Sequence, residues 1–529
     1  MKPSWLSLER LKRLFLGAPL DPFSPKVRQH IALAAFLAWV GLGADGLSSA
    51  NYGPAEAFLA LEGHTSLALY LALATGLTVF IIAFAYNQVV ALFPNGGGGY
   101  KVATELIGPH AGLVSGSALI IDYVLTIAIS VASGVDALFS LLPPHWQAWK
   151  LPIEFLVVIA LTTLNMRGMK EPIALLLPLF LGFVVTHVLL ILIGIGAHAD
   201  ALPTLIPATV SETQDLAGSI GMVGVIALLL KAFAMGGGTY TGIEAVSNNV
   251  NMLREPRVQT GKLTMLYMAL SLAFMAAGLI VLYLLWNVTY EEGKTLNAVV
   301  FEAILAELFG EQSVLVHVGL IITLFFAAAL LFVAANTGFL GGPAVLANMA
   351  VDRWMPHQFS QLSDRLVTQN GVIVMGAAAI GALWVTGGEV HFLVVLYSIN
   401  VFLTFSLCLA GLCRYWMMHR REKGFVMGML QSGVGFVVAF SILLVTLVEK
   451  FLDGAWFTVL ATGFVVFLGY SIKRHYEGVN QSWPRPTCCL ATPRARRRRA
   501  NWCLTRRRAR LHCSSAAVTA WPCIRCWRR

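Results

Sequence analysis

Three carboxylates stand where an apolar chain should have none. Asp45, Asp122 and Glu244 each fall within or beside a long run of low charge. A carboxylate at the centre of a bilayer costs about 2.5–3.5 kcal/mol on insertion scales. Three of them facing lipid would cost roughly 8–10 kcal/mol, comparable with the stability of a whole domain. They must face a polar or ion-filled cavity, be protonated, or glue helices together through buried hydrogen bonds. Hydroxyls accompany them. Asp122, Thr126 and Ser130 recur every four residues and share one helix face. Tyr52 lies near Asp45, Thr239, Tyr240 and Thr241 precede Glu244, and Tyr397 and Asn400 are one turn apart. Singly, such hydroxyls mostly pack helices or bond back to the backbone.

The donor set decides which ligand such a site takes. It offers carboxylate and hydroxyl oxygen, with no Cys or His nearby. Hard cations prefer oxygen, whereas thiolate and imidazole suit copper or zinc. Several neutral oxygens can replace the hydration shell of potassium. An amino-acid substrate would place its own carboxylate at freed backbone amides, where Asp45 would repel it. A small cation is therefore expected ahead of an amino acid. A polyamine stays open, because the three carboxylates could bind an extended polycation.

Other features carry less. Lys231 could pair with a site carboxylate, stand in for a cation, or form a structural pair. His187 is expected to be a satisfied helix-contact histidine. Pro94-Asn-Gly-Gly-Gly-Gly-Tyr100-Lys101 lacks the spacing and the hydroxyl after lysine of a phosphate loop. No HExxH, nucleophile elbow or zinc-ribbon CxxC pair occurs, so no enzyme is expected, and no cofactor beyond transported ions.

The elements that must hold these residues are membrane helices. Of 529 residues, 57% are hydrophobic and 12% charged, with mean hydropathy +0.73, against about 25% charged in soluble domains. Runs of low charge predict about twelve spans, near 30–62, 66–93, 110–142, 149–165, 170–196, 222–250, 262–287, 315–348, 370–386, 391–413, 427–448 and 454–472. Lys and Arg collect in alternate loops, while the opposite loops hold only Lys150, Lys294 and Lys450. That asymmetry predicts both termini in the cytoplasm. Two spans are interrupted, at Gly43-Ala-Asp-Gly-Leu-Ser-Ser-Ala-Asn-Tyr-Gly53 before Pro54 and at Gly236-Gly-Gly-Thr-Tyr-Thr-Gly242. Backbone freed by glycine and proline persists at membrane depth only where protein or a cavity satisfies it. The breaks fall in the first span of each of two five-helix halves, the pattern of an inverted-repeat transporter with a midplane site. Glycine kinks for close helix packing are the competing explanation.

Motifs along the chain resemble the amino acid–polyamine–organocation superfamily: Leu92-Phe-Pro-Asn-Gly-Gly-Gly-Gly-Tyr-Lys-Val-Ala-Thr-Glu-Leu-Ile-Gly108, Leu164-Asn-Met-Arg-Gly168 and Ala335-Asn-Thr-Gly-Phe-Leu-Gly-Gly-Pro343. Within it, Gly43–Pro54 and Thr241-Gly-Ile-Glu-Ala-Val-Ser-Asn248 are most similar to the KimA-type branch of KUP potassium–proton symporters. The resemblance spans roughly residues 28–475. It implies an all-α, twelve-helix protein of leucine-transporter fold, a 5+5 inverted repeat with helices 1 and 6 broken. It implies import of potassium with protons across a bacterial inner membrane, and a homodimer with a cytosolic regulatory domain. Asp45, Tyr52, Thr241 and Tyr397 would surround a central potassium ion. Asp122, Thr126 and Ser130 would hold ions along the inward path, and Glu244 would carry the proton.

The ends of the chain read differently from its body. Residues 1–27 form a short cytoplasmic segment. From Trp483 onward there are 13 Arg and no Lys, Asp or Glu. Without this stretch, 24 basic residues face 27 acidic ones, so the net +10 belongs to the tail and the body has no basic surface for nucleic acid. Six of eight Cys also lie there. Residues 476–529 are expected to be a disordered Arg- and Cys-rich tail, read out of frame from about Trp483, in place of the regulatory domain.

Overall fold

The computed structural model describes residues 33–168 and 173–482, with side chains left out at 173–175 and 480–482. Residues 1–27 and 483–529, with the tail's Arg and Cys clusters, lie outside the described residues. The chain divides at Lys473–Arg474 into two units, and the helices that build the site belong to the first.

Apart from an isolated bridge between Leu33 and Leu253, the described residues are helical or connecting. Among the described residues, ten segments are long and apolar enough to cross a membrane. The broken first span, α1 (Ala35–Ser48) and α2 (Gly53–Leu59), is not among them because each piece is too short. It is followed by α3 (Ala68–Leu92), α4 (Pro109–Phe139), α5 (Lys150–Met166) and α6 (Ile173–Ala197). The second half begins with α7 (Leu202–Met235) and α8 (Glu244–Asn248), then α9 (Arg257–Leu285), α10 (Leu296–Phe309), α11 (Val314–Val351), α12 (Gln369–Thr386) and α13 (Val390–Met418). The last run, Phe425–Val479, is 55 residues long, about 80 Å of helix and far beyond a single bilayer crossing. Gly454, at φ 111°, turns the chain between α14 (Phe425–Lys450) and α15 (Trp456–Ser482).

Two helices escaped the sequence reading. α7 starts twenty residues before the expected span, kinked at Gly221, and α10 lies in what read as a loop. Ser211-Glu212-Thr213-Gln214-Asp215 and the acidic residues of α10 gave these stretches a loop-like polarity. Lys450 also differs from expectation. It is the last residue of α14, 1% exposed, and its ammonium donates to Ser398 Oγ at 2.8 Å rather than lying in a loop.

Burial sorts the helices. Inside the protein lies 94% of the apolar stretch of α4 and 83% of that of α13, but only 17% of that of α5. α4 and α13 therefore form the interior, where polar side chains are sheltered from lipid. α4 packs most extensively on α11, and α3 on α9. The outer faces carry bare Leu73, Leu77, Val223, Trp384 and Leu452, as a hydrocarbon solvent permits.

Candidate functional site

Both spans are interrupted and the interruptions meet, but the first is shorter than expected: residues 43–48 stay α-helical and only residues 49–52 leave the α-helix. In the first, Ser48 and Ser49 turn their hydroxyls back to the Asp45 and Gly46 carbonyls at 2.7 and 2.5 Å, satisfying backbone that the ending helix releases. Tyr52 leaves helical geometry, and Pro54 restarts the helix where its missing N–H costs nothing. In the second, α7 ends at Met235, a tight 3₁₀ turn runs through Gly236–Tyr240, Thr241 is extended, and α8 begins at Glu244. The Ser49 hydroxyl reaches across to the Thr239 carbonyl at 3.0 Å. Gly242 sits at φ 79°, and a Cβ there would lie 2.4 Å from the backbone nitrogen of Gly46. Only glycine allows the two breaks to touch backbone to backbone.

The carboxylates flank this contact. Asp45 is 4% exposed, Asp122 1% and Glu244 5%, so none faces lipid. Asp122 Oδ1 and Glu244 Oε2 have no hydrogen-bond partner. The three charges act on one another, yet among the described residues no three His, Cys, Asp or Glu side chains gather closely enough to hold a metal ion. The arrangement is a row of single carboxylates rather than one acidic cage.

Tyr397 joins the elements. From α13 its hydroxyl donates to Thr241 Oγ1 in the second break and lies 3.1 Å from Thr126 Oγ1 on α4. Thr126 also bonds to the Asp122 carbonyl at 2.9 Å. Thus Thr126, Thr241 and Tyr397 come together, while Asp45 sits in the last turn of α1 and Glu244 opens α8. Ser130 is buried one turn beyond Thr126. Asn400, singled out with Tyr397, turns away and accepts from Thr462 at 3.0 Å. His187 packs against Phe183 and its Nδ1 bonds to the Phe183 carbonyl at 3.0 Å, but its Nε2 is buried without a partner, so it is only half satisfied. Lys231 pairs with Glu62 at 2.7 Å, away from the site carboxylates.

Tyr52 covers Gly238 and lines the floor of a 470 Å³ cavity. The cavity wall includes Glu56, Asp136, Glu292 and Glu389, with Lys150, Lys294 and His391. Glu56 pairs with His391 at 2.6 Å and Asp136 with Lys150 at 2.6 Å. Hydrogen bonding to Glu302 holds the Lys294 ammonium above its ordinary range. Of these cavity residues, Glu292, Lys294 and Glu389 read as solvated loop charges, whereas Glu56 and Asp136 fell inside expected spans and were passed over, although Asp136 continues the polar face of α4. Glu154 was missed too. It is wholly buried in α5 with both oxygens unpartnered, away from either break.

At the opposite end the glycine-rich segment closes over α8. Gly97 N–H donates to the Asn248 carbonyl at 3.4 Å, and Asn248 Nδ2 donates to the Tyr123 hydroxyl at 2.8 Å. Tyr100 donates to Asp352 at 2.6 Å. The segment is thus a structural closure, in keeping with its failure as a phosphate loop.

Residues 34–469 match the family described as amino acid permease. The chain belongs to that family. It is a multi-pass membrane protein of the amino acid–polyamine–organocation superfamily, and so a member of a transporter family. It is also 32% identical, over 479 residues, to the potassium transporter KimA of Bacillus subtilis (strain 168), covering 89% of this chain and 75% of the relative.

Proposed function

We propose that the protein imports potassium coupled to protons, by alternating access across a bacterial inner membrane with both termini in the cytoplasm. The observation that carries this reading is the Tyr397 hydroxyl joining α4, α13 and the second break beside buried single carboxylates. In it, twelve spans form a 5+5 inverted repeat, the first break and α14–α15 supplying the two spans beyond the ten. Asp45, Tyr52, Thr241 and Tyr397 hold the central ion through one carboxylate and several neutral oxygens. Asp122, Thr126 and Ser130 receive ions on the inward path. Glu244, with a carboxylate oxygen free of partners, carries the proton. Each positive charge moved inward gains about 2.3 kcal/mol per 100 mV of membrane potential, so ion and proton together gain roughly twice that. Similarity to a potassium transporter supports the ion.

The amino acid permease match favours a second reading, proton-coupled uptake of an amino acid or polyamine. The Asp45 carboxylate opposes an amino-acid substrate, as like charges would meet at the first break. Purified protein in liposomes separates the readings by uptake of rubidium against amino acids and putrescine. Rubidium uptake is expected, abolished by Asp45→Asn with thermal stability unchanged. Amino-acid or putrescine uptake without rubidium uptake would overturn the potassium reading.

A further inference from the structure

The polar face of α4 does not stop at Ser130. Ser133 and Asp136 follow at three-residue steps, so Asp122, Thr126, Ser130, Ser133 and Asp136 run along one side of the helix. At 1.5 Å per residue this row is about 21 Å long. Its first members adjoin the two breaks, and its last two line the 470 Å³ cavity.

Two observations mark that far end as more than a solvated wall. Ser133 is 5% exposed, and its hydroxyl has no hydrogen-bond partner. A helical serine ordinarily returns its hydroxyl to a carbonyl one turn back. Ser140 does so at 2.8 Å on this same helix, to the Asp136 carbonyl. The Ser133 oxygen keeps its lone pairs for a ligand. One turn away, the Asp136 carboxylate is held by the Lys150 ammonium at 2.6 Å, with both side chains about one-fifth exposed. An ammonium is close to potassium in charge and size, so this tethered group occupies the position a free monovalent cation would take. Elsewhere on the wall Glu56 is engaged by His391, and Lys294 by Glu302 and Glu291.

We propose that Ser133 and Asp136 form a second station for a monovalent alkali cation, on the cavity side of Tyr52. An arriving cation displaces the Lys150 ammonium from Asp136, gains the Ser133 oxygen, and then passes Tyr52 to the central site. Lys150 keeps the carboxylate neutralised between ions and makes the station weak enough to empty. This inference rests on the cation reading of the central site.

Binding of radiolabelled rubidium to purified protein tests it, with Asp45→Asn and Asp122→Asn combined to silence the central site and the inward path. That variant is expected to retain weak, saturable binding, which Asp136→Asn in the same chain removes. An ion pair of this exposure is worth up to about 1 kcal/mol, or roughly fivefold in affinity. Lys150→Met should therefore tighten the residual binding about fivefold, and Ser133→Ala should weaken it several-fold without altering the fold. Protein carrying both Asp45→Asn and Asp122→Asn with no residual rubidium binding, beside a wild type that transports rubidium, would overturn the station and leave the potassium reading standing. Lys150→Met binding no tighter than its parent would overturn the displacement step. A wild type that neither binds nor transports rubidium would instead remove the potassium reading beneath it.

Discussion

The two ends of the helix bundle are built from different interactions. At the cavity end, side chains do the work: Glu56 with His391 and Asp136 with Lys150 around 470 Å³ of open space, and Lys231 with Glu62 outside it. At the glycine-rich end, backbone lies on side chain and backbone. Gly97 bonds to the Asn248 carbonyl, and the Leu33 and Met252–Arg254 backbones bond to each other at 2.9 Å. Partly exposed ion pairs are worth at most about 1 kcal/mol each and exchange easily. A close backbone contact forms as a whole or not at all, since no side chain can give way. Under the proposed alternating access, the glycine end is therefore expected to cost more to open and the cavity end to yield first.

The sharpest way to break this contrast is Gly98→Ala. Gly98 lies at φ 47°, and a Cβ there would fall 1.4 Å from Asn248 Oδ1. Strain of about 1–3 kcal/mol should lower transport by tenfold or more and speed amide exchange across residues 93–101. Unchanged exchange would mean the end is not held by this contact. Asn248→Ala, which removes the donor to Tyr123, should act in the same direction but less, by about fivefold for a bond of about 1 kcal/mol. Glu56→Gln probes the other end. It should change the apparent KM for rubidium by no more than about fivefold, with the thermal midpoint unmoved; a collapse in uptake would show the cavity end to be the stiffer gate.

The smallest effect is expected at Lys231→Met. Hydrogen bonding to Lys231 holds the Glu62 carboxyl below its ordinary range. A lowered folded-state value means that the stability contributed is present above the unfolded value of about 4.3. It is lost as pH falls from there through Glu62's own value. The variant should lose this acid-side slope and differ little at neutral pH, as denaturation followed from pH 7 to 3 would register. A large loss at neutral pH would mean that the pair, at 41% and 61% exposure, braces the cavity end after all.

Much of the architecture was legible before any coordinates. Apolar runs placed α3, α4, α9 and α13 within a few residues, because twenty or more uncharged residues have few alternatives to a membrane helix. That spans one and six are interrupted was legible because glycine, proline and serine weaken helices for local reasons, but the first interruption is confined to residues 49–52, with residues 43–48 still helical. Polar helices were not: α10 and the first half of α7 carry charges that composition cannot tell from a loop. Nor was the fate of Asn400, since periodicity places a residue on a face without saying which neighbour fills it.

The sequence by itself determined that carboxylates fall within apolar spans and which two spans are interrupted, since both follow from residue type and a single helix's period. Only the tertiary structure decided that the two unwound stretches touch, that Tyr397 joins Thr126 to Thr241, and that Lys450 is buried while Glu154 is left without a partner. Those outcomes depend on which faces of separate helices come together, and packing between distant segments leaves no local signature in the chain.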